Sequence, residues 1–224
     1  MQNQPAEIEW RDGGVPVSTR FDDPYYSLEN GLSETRHVFL EGNDLPARYR
    51  DGFRVAELGF GTGLNFLATL ESWRSSNTPG CLSYTSFEAY PMAAADMAQA
   101  LDAFGGLADL AAPLTEQWTG DGGSFSFVGG VTLNLIVGDA RETLPRWSGQ
   151  ADAWYLDGFS PAKNPELWEP SLMQEVARHT VRGGTAATYT AAGFVRRGLQ
   201  QAGFSVMRTP GFGRKRHMTK AILE

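Results

Sequence analysis

Val55-Ala56-Glu57-Leu58-Gly59-Phe60-Gly61-Thr62-Gly63-Leu64 decides how the rest of the chain reads. A short apolar run meets glycines at every second position, and Leu64, Leu67, Ala68 and Leu70 then follow at helical spacing. That is a strand, a tight loop and a helix. Glycines at 59, 61 and 63 let the backbone turn sharply and come close to a ligand. The dinucleotide fingerprint G-x-G-x-x-G needs a glycine where Leu64 stands, and the phosphate loop G-x-x-x-x-G-K-[ST] is absent. With no lysine in the loop and Glu57 before it, a phosphate is poorly served. A zwitterionic or cationic ligand is better matched.

Outward from this unit the pattern alternates. Strands are predicted over 54–58, 82–88, 131–137, 153–156 and 184–189, and helices over 64–73, 92–104, 170–179 and 194–202. Two closing strands, 204–209 and 217–223, flank a Gly/Pro/basic loop. This predicts an α/β fold, a mostly parallel seven-stranded sheet covered by helices on both faces. Residues 1–50, with Phe21, Tyr25, Tyr26 and Phe39 among many Asp, Glu, Gly and Pro, read as an irregular N-terminal extension packed on a domain over 51–224.

Composition narrows the class. The chain has 224 residues, and a single cysteine, Cys81, excludes an intrachain disulfide framework. No apolar run approaches the roughly 20 residues of a membrane span. The polar, acidic start does not resemble a secretory signal, so a cytoplasmic protein with no membrane partner is expected. His37, His179 and His217 are scattered, and no Cys/His spacing suggests a metal. The net charge of −7 hides an asymmetry: residues 1–140 hold 7 basic and 19 acidic side chains, residues 141–224 hold 12 and 7. An anionic partner for the C-terminal part is one reading; mixing of the two parts in the fold is the other.

Ligands of parallel α/β sheets bind beyond the carboxyl ends of the strands. The second strand ends at Glu88, suited to accept both hydroxyls of a ribose. The third ends in Val137-Gly138-Asp139, where Asp139 suits an adenine amino group or, with Glu142, a capping box. Glycine loop, Glu88 and Asp139 stand in the order of S-adenosylmethionine sites. The fourth strand runs into Asp157-Gly158-Phe159-Ser160-Pro161. There a carboxylate can accept an N–H from an attacking amine and an aromatic ring can stack on a base; a turn aspartate and a core phenylalanine are the plainer readings. Trp154 and Trp168 read as core.

These motifs, 55–67 and Asp152-Ala153-Trp154-Tyr155-Leu156-Asp157-Gly158-Phe159-Ser160-Pro161-Ala162-Lys163-Asn164-Pro165, resemble the methyltransferase module of the bacterial bifunctional MnmC family. So do Phe21-Asp22-Asp23-Pro24-Tyr25, Asn30-Gly31-Leu32-Ser33-Glu34-Thr35-Arg36, Gly193-Phe194-Val195-Arg196-Arg197 and Gly211-Phe212-Gly213-Arg214-Lys215-Arg216. The resemblance implies a Rossmann-like class I S-adenosylmethionine-dependent methyltransferase acting on tRNA. It would move a methyl group to the amine of 5-aminomethyl(-2-thio)uridine at the wobble position.

It implies Asp157 as the catalytic residue. Glu57, Gly59, Phe60, Gly61, Gly63, Asn65, Glu88, Asp139, Tyr25 and Glu34 would bind the cofactor. Phe159, Lys163, Arg196, Arg197, Arg214, Lys215 and Arg216 would meet the tRNA. The family's second module is a flavin-dependent oxidase; no flavin and no metal are expected in this chain, and a separate oxidase or upstream tRNA-modification enzymes would be its partners. Two other readings stay open: a small-molecule amine N-methyltransferase, and a catalytically silent S-adenosylmethionine- or RNA-binding module. Whether Asp157 acts as a base or only orients the amine is also open.

Overall fold

The computed structural model describes residues 5–11, 13–27 and 30–224; residues 1–4 of the polar start lie outside the described residues. The N-terminal extension is more regular than its composition suggested. It forms a small antiparallel sheet of β1 (Ile8–Arg11), β2 (Val15–Ser18) and β3 (Asp23–Pro24). A short helix follows, α1 (Gly31–Thr35), capped by the Asn30 side chain, which accepts the Ser33 N–H at 2.9 Å.

The main body runs β4 (Phe53–Leu58), α2 (Leu64–Ser76), β5 (Leu82–Glu88), α3 (Ala94–Leu101), α4 (Ala108–Gln117), β6 (Gly123–Phe127), β7 (Val131–Val137), α5 (Ala140–Thr143), β8 (Ala151–Leu156), α6 (Pro170–Arg178), β9 (Thr180–Thr188), α7 (Gly193–Gln201), β10 (Phe204–Pro210) and β11 (His217–Leu223). Among the described residues the large sheet has eight strands, in the order β10-β11-β9-β8-β4-β5-β7-β6. Pairs β8/β9, β4/β8, β4/β5 and β5/β7 are parallel; β9/β11, β10/β11 and β6/β7 are antiparallel.

The expected count of seven strands is thus corrected by β6. Its sequence, Gly-Ser-Phe-Ser-Phe, sits on an edge with only Phe125 and Phe127 partly covered, too little apolar signal to read as a strand. Helix α4 was also missed. Pro113 lies inside it, a residue that normally argues against a helix interior, yet Leu110, Ala111 and Leu114 are buried. Burial of that face outweighs the lost backbone hydrogen bond.

The parallel strands are covered on both sides. All of β8 is buried, and successive residues serve opposite cores. Ala153 and Tyr155 join Phe66, Leu67 and Trp73 beneath α2. Trp154 and Leu156 join Trp168, Met173 and Val195 beneath α6 and α7. Val38, Phe39, Leu40, Leu45 and Tyr49 belong to the α2-side core, so the chain before β4 is packed on the sheet rather than lying apart. Trp154 and Trp168 are core residues, 0% and 1% exposed.

Candidate active site

A cavity of about 1270 Å³ opens at the carboxyl ends of β4, β5, β7 and β8. The topology favours that place: from β4 the chain runs outward through β5 to β7, then crosses back to β8 on the other side of β4, so the strand order reverses there. The loop after β4 carries two glycines with distinct tasks. Gly59 has φ +87°, and a Cβ on it would sit 2.3 Å from the Asp157 carbonyl oxygen. Its bareness lets the ends of β4 and β8 approach one another. Gly61 has φ +55° and donates its N–H to Glu88 Oε2 at 3.0 Å; a Cβ there would press on the Tyr25 ring at 3.2 Å.

Glu88 uses its other oxygen to accept the Tyr90 N–H at 2.8 Å. Burial pushes its carboxyl above the usual range, against the pull of those backbone N–H groups. Asp139 caps α5, accepting the Arg141 N–H at 2.9 Å, and pairs with the Arg141 guanidinium at 2.6 Å, which holds its carboxyl below the usual range. Asp139 therefore caps the helix, but not as a capping box: the Arg141 N–H donates to its side chain, and the Glu142 N–H donates to its backbone carbonyl. Asp139 lines the cavity as well.

Asp157 is half-buried in the cavity wall, and desolvation there pushes its carboxyl up to about 7, with Glu34 adding to the rise and Asn65 and Lys215 opposing it. Its Oδ2 accepts one hydrogen of the Asn65 amide at 2.7 Å. The same nitrogen gives its second hydrogen to Glu57 Oε1 at 2.9 Å. Thr35 fixes the amide orientation by donating to Asn65 Oδ1 at 2.9 Å, and Ser86 donates to Glu57 Oε2 at 2.8 Å. Two acids thus share one neutral amide, and burial holds Glu57 well above the ordinary glutamate range.

One wall is aromatic. Phe159 stacks on Phe21 at 4.8 Å and meets the edge of Tyr25 at 5.1 Å. The extension also ties down the turn after Asp157: Asp23 Oδ2 accepts the Ser160 N–H at 2.7 Å, and Lys163 Nζ donates to Asp22 Oδ2 at 3.0 Å.

The cavity gathers Tyr25, Glu34, Gly59, Phe60, Gly61, Asn65, Glu88, Asp139, Asp157, Phe159, Arg214 and Lys215 of the residues expected at the site. Phe60 is mainly a packing residue there, stacked on Trp118 at 4.9 Å. The expected cofactor ligands Glu57 and Gly63 do not line it. Glu57 follows Phe53 and Val55 on the α2 face of β4 and is 0% exposed, so its carboxylate lies under the helix. Gly63 starts α2 against Leu114 and Phe60. Lys163 is engaged with Asp22 outside the cavity, and Arg196, Arg197 and Arg216 lie away from it. Sequence reasoning passed over Phe21, Thr35, Ser86, Tyr90 and Tyr189. Phe21 and Thr35 carried a signal, both through stretches that bear the resemblance.

This fold and site define a class, and the comparisons agree. Residues 106–224 match the model of a family described as S-adenosyl-L-methionine-dependent methyltransferase, and the chain belongs to that family. Among its relatives are bifunctional tRNA 5-methylaminomethyl-2-thiouridine biosynthesis proteins MnmC. The protein of Aeromonas hydrophila is 48% identical over 229 residues, covering 95% of this chain and 34% of that protein. The one from Pseudomonas fluorescens is 46% identical over 220 residues, covering 94% and 33%. The chain therefore spans about a third of the length of these relatives. The solved structure of MnmC2 from Aquifex aeolicus shares the fold, with a TM-score of 0.80 at 24% identity, covering 100% of this chain and 72% of that one.

The residues fit a sulfonium ligand. The glycine loop brings bare backbone to the cavity wall, and the carboxyls of Glu34, Glu88, Asp139 and Asp157 line it, those of Glu34 and Asp139 paired with Lys215 and Arg141. Among the described residues no group of three or more His, Cys, Asp or Glu could hold a metal ion, and no helix is long and apolar enough to cross a membrane.

Proposed function

We propose that the chain methylates the primary amine of 5-aminomethyl(-2-thio)uridine at the wobble position of tRNA, giving the 5-methylaminomethyl product. The observation that carries this reading is Asp157: a half-buried carboxyl lining a cavity that also holds the glycine loop, in a chain 46–48% identical to MnmC proteins over nearly its whole length. We take residues 1–50 as an extension of a catalytic domain over 51–224.

In this reading Glu88 accepts the ribose hydroxyls and Asp139 meets the adenine. Bound S-adenosylmethionine supplies an electrophilic sulfonium methyl group. Asn65 holds Asp157 Oδ2, which leaves Oδ1 for the substrate amine. An ammonium has no lone pair, so the amine must be neutral when it attacks. A carboxylate with a pKa near 7 takes that proton far more readily than an ordinary aspartate, so both orientation and proton removal fall to Asp157. Phe159 and Phe21 offer ring faces to the uracil. Arg196, Arg197 and Arg216, with Arg214 and Lys215 at the rim, serve the tRNA phosphates. Glu57 and Asn65 act beneath Asp157 rather than on the cofactor.

The test is nucleoside mass spectrometry of hypomodified tRNA after incubation with the protein and methyl-labelled S-adenosylmethionine. One label on 5-aminomethyluridine supports the reading. Methylation of free amines with none on tRNA would replace it by the small-molecule alternative.

A further inference from the structure

Lys215 occupies an unusual place for a tRNA-binding lysine. Its Nζ lies 2.7 Å from Glu34 Oε1 and 4.4 Å from the centre of the Tyr189 ring. Tyr189 donates its hydroxyl to the Gly158 carbonyl at 2.7 Å, so its ring stands beside the Asp157 turn. Glu34, Tyr189, Asp157 and Lys215 all line the one cavity. A carboxylate on one side, an aromatic face on another and a second carboxyl nearby are the features that recognise an organic ammonium ion.

The two partners of the ion pair differ in exposure. The Glu34 side chain is 12% exposed, whereas that of Lys215 is 48% exposed. The acid is thus a fixed part of the wall, and the lysine reaches in from a loop between β10 and β11. Withdrawing Lys215 returns its ammonium to water at small cost. It would leave the mostly enclosed Glu34 without that ion pair, a loss that an incoming cation makes good.

We propose that Glu34, the Tyr189 ring and Asp157 form a subsite for a primary alkylammonium group, and that Lys215 fills it until such a ligand arrives. The ammonium is recognised at Glu34. One proton then passes to Asp157, leaving the amine neutral. When the amine nitrogen bonds to the methyl carbon, the carbon–sulfur bond breaks and its electrons stay on sulfur. The products are a secondary ammonium and the thioether. Lys215, once displaced, is at the rim where tRNA phosphates would hold it away.

The biological identity of the ligand rests on the tRNA reading above, but the subsite is testable without tRNA or cofactor. Benzylammonium chloride, an aminomethyl group on a planar ring, is titrated calorimetrically into the full chain, with benzyl alcohol as the neutral control. If Lys215 fills the subsite about nine-tenths of the time, Lys215→Ala should bind benzylammonium roughly tenfold more tightly. Lys215→Met, which keeps the apolar stem, should behave the same way. Glu34→Gln added to either should remove the gain, and benzyl alcohol should bind all forms alike. Equal benzylammonium affinity in wild type and both lysine variants would overturn the proposal, as would a gain that survives Glu34→Gln. A gain in a protein that fails to methylate tRNA would sink the tRNA reading and leave the subsite standing.

Discussion

Two aspartates bracket β8 in opposite electrostatic settings: Asp152, its second residue, and Asp157, the first residue past its end. At its start, Asp152 is 3% exposed and surrounded by cations. Its Oδ1 accepts from the Arg50 guanidinium at 2.6 Å, and its Oδ2 accepts from the Arg54 N–H and guanidinium at 2.9 and 3.0 Å. At its end, Asp157 hydrogen-bonds the neutral Asn65 amide, beyond which stands a second acid, Glu57. The residue type is the same and the two stand at opposite ends of one strand; the partners differ. Cations at the amino end offset the cost of burial and clamp β8 to the segment entering β4. At the carboxyl end the cost is left in place, and a carboxyl that titrates near neutrality is the result.

The largest effect expected from breaking this contrast is on turnover. Asp157→Ala should lower methyl transfer by about 10²–10⁴-fold while S-adenosylmethionine still binds, measured by single-turnover kinetics and calorimetry. Asp152→Ala should leave turnover per folded molecule unchanged, because its partners face away from the cavity.

Next comes stability. The folded protein holds the Asp157 proton more tightly than the unfolded chain does, so this group favours folding below about pH 4, and the advantage is lost as pH rises through about 7. Asp157→Asn removes the ionised form. Its gain over wild type should grow from near zero at pH 4 to as much as ~4 kcal/mol at pH 8, read from urea denaturation. Asp152→Asn should destabilise by ~1–3 kcal/mol at pH 8, since a charge-assisted hydrogen-bond set is lost in a buried setting. Two Asp→Asn changes, one at each end of β8, moving stability in the same direction would break the comparison.

The smallest effect concerns the outer surface beyond the Asp157 end. Replacing Arg214, Lys215 and Arg216 with alanine should flatten the salt dependence of tRNA binding by roughly 0.7–0.9 log unit per lost phosphate contact. An unchanged slope in filter binding would place the tRNA on another face.

The parallel strands and the strand-end residues Glu88, Asp139 and Asp157 were legible because strand–helix alternation and a glycine loop are local patterns. What the pattern could not give was facing. Glu57 sits two residues before the loop, and only the pairing of β4 with its neighbours places it beneath α2 with Ser86 and Asn65. The Asn65 bridge joins residues 57, 65 and 157, a long-range contact with no sequence signature. The same holds for Phe21 against Phe159 and for Lys163, whose partner proved to be Asp22. The extension looked irregular because its strands are four residues or fewer, two of them carry a proline, and turns separate them.

The most direct test is the titration of Asp157 itself. In protein labelled with ¹³C at the aspartate carboxyls, the resonance that disappears in Asp157→Asn can be followed by NMR from pH 3 to 9. An uncompensated carboxyl gives a midpoint near 7. A midpoint near the ordinary aspartate value of about 4 would contradict the account, because Asp157 would then be as well neutralised as any surface acid.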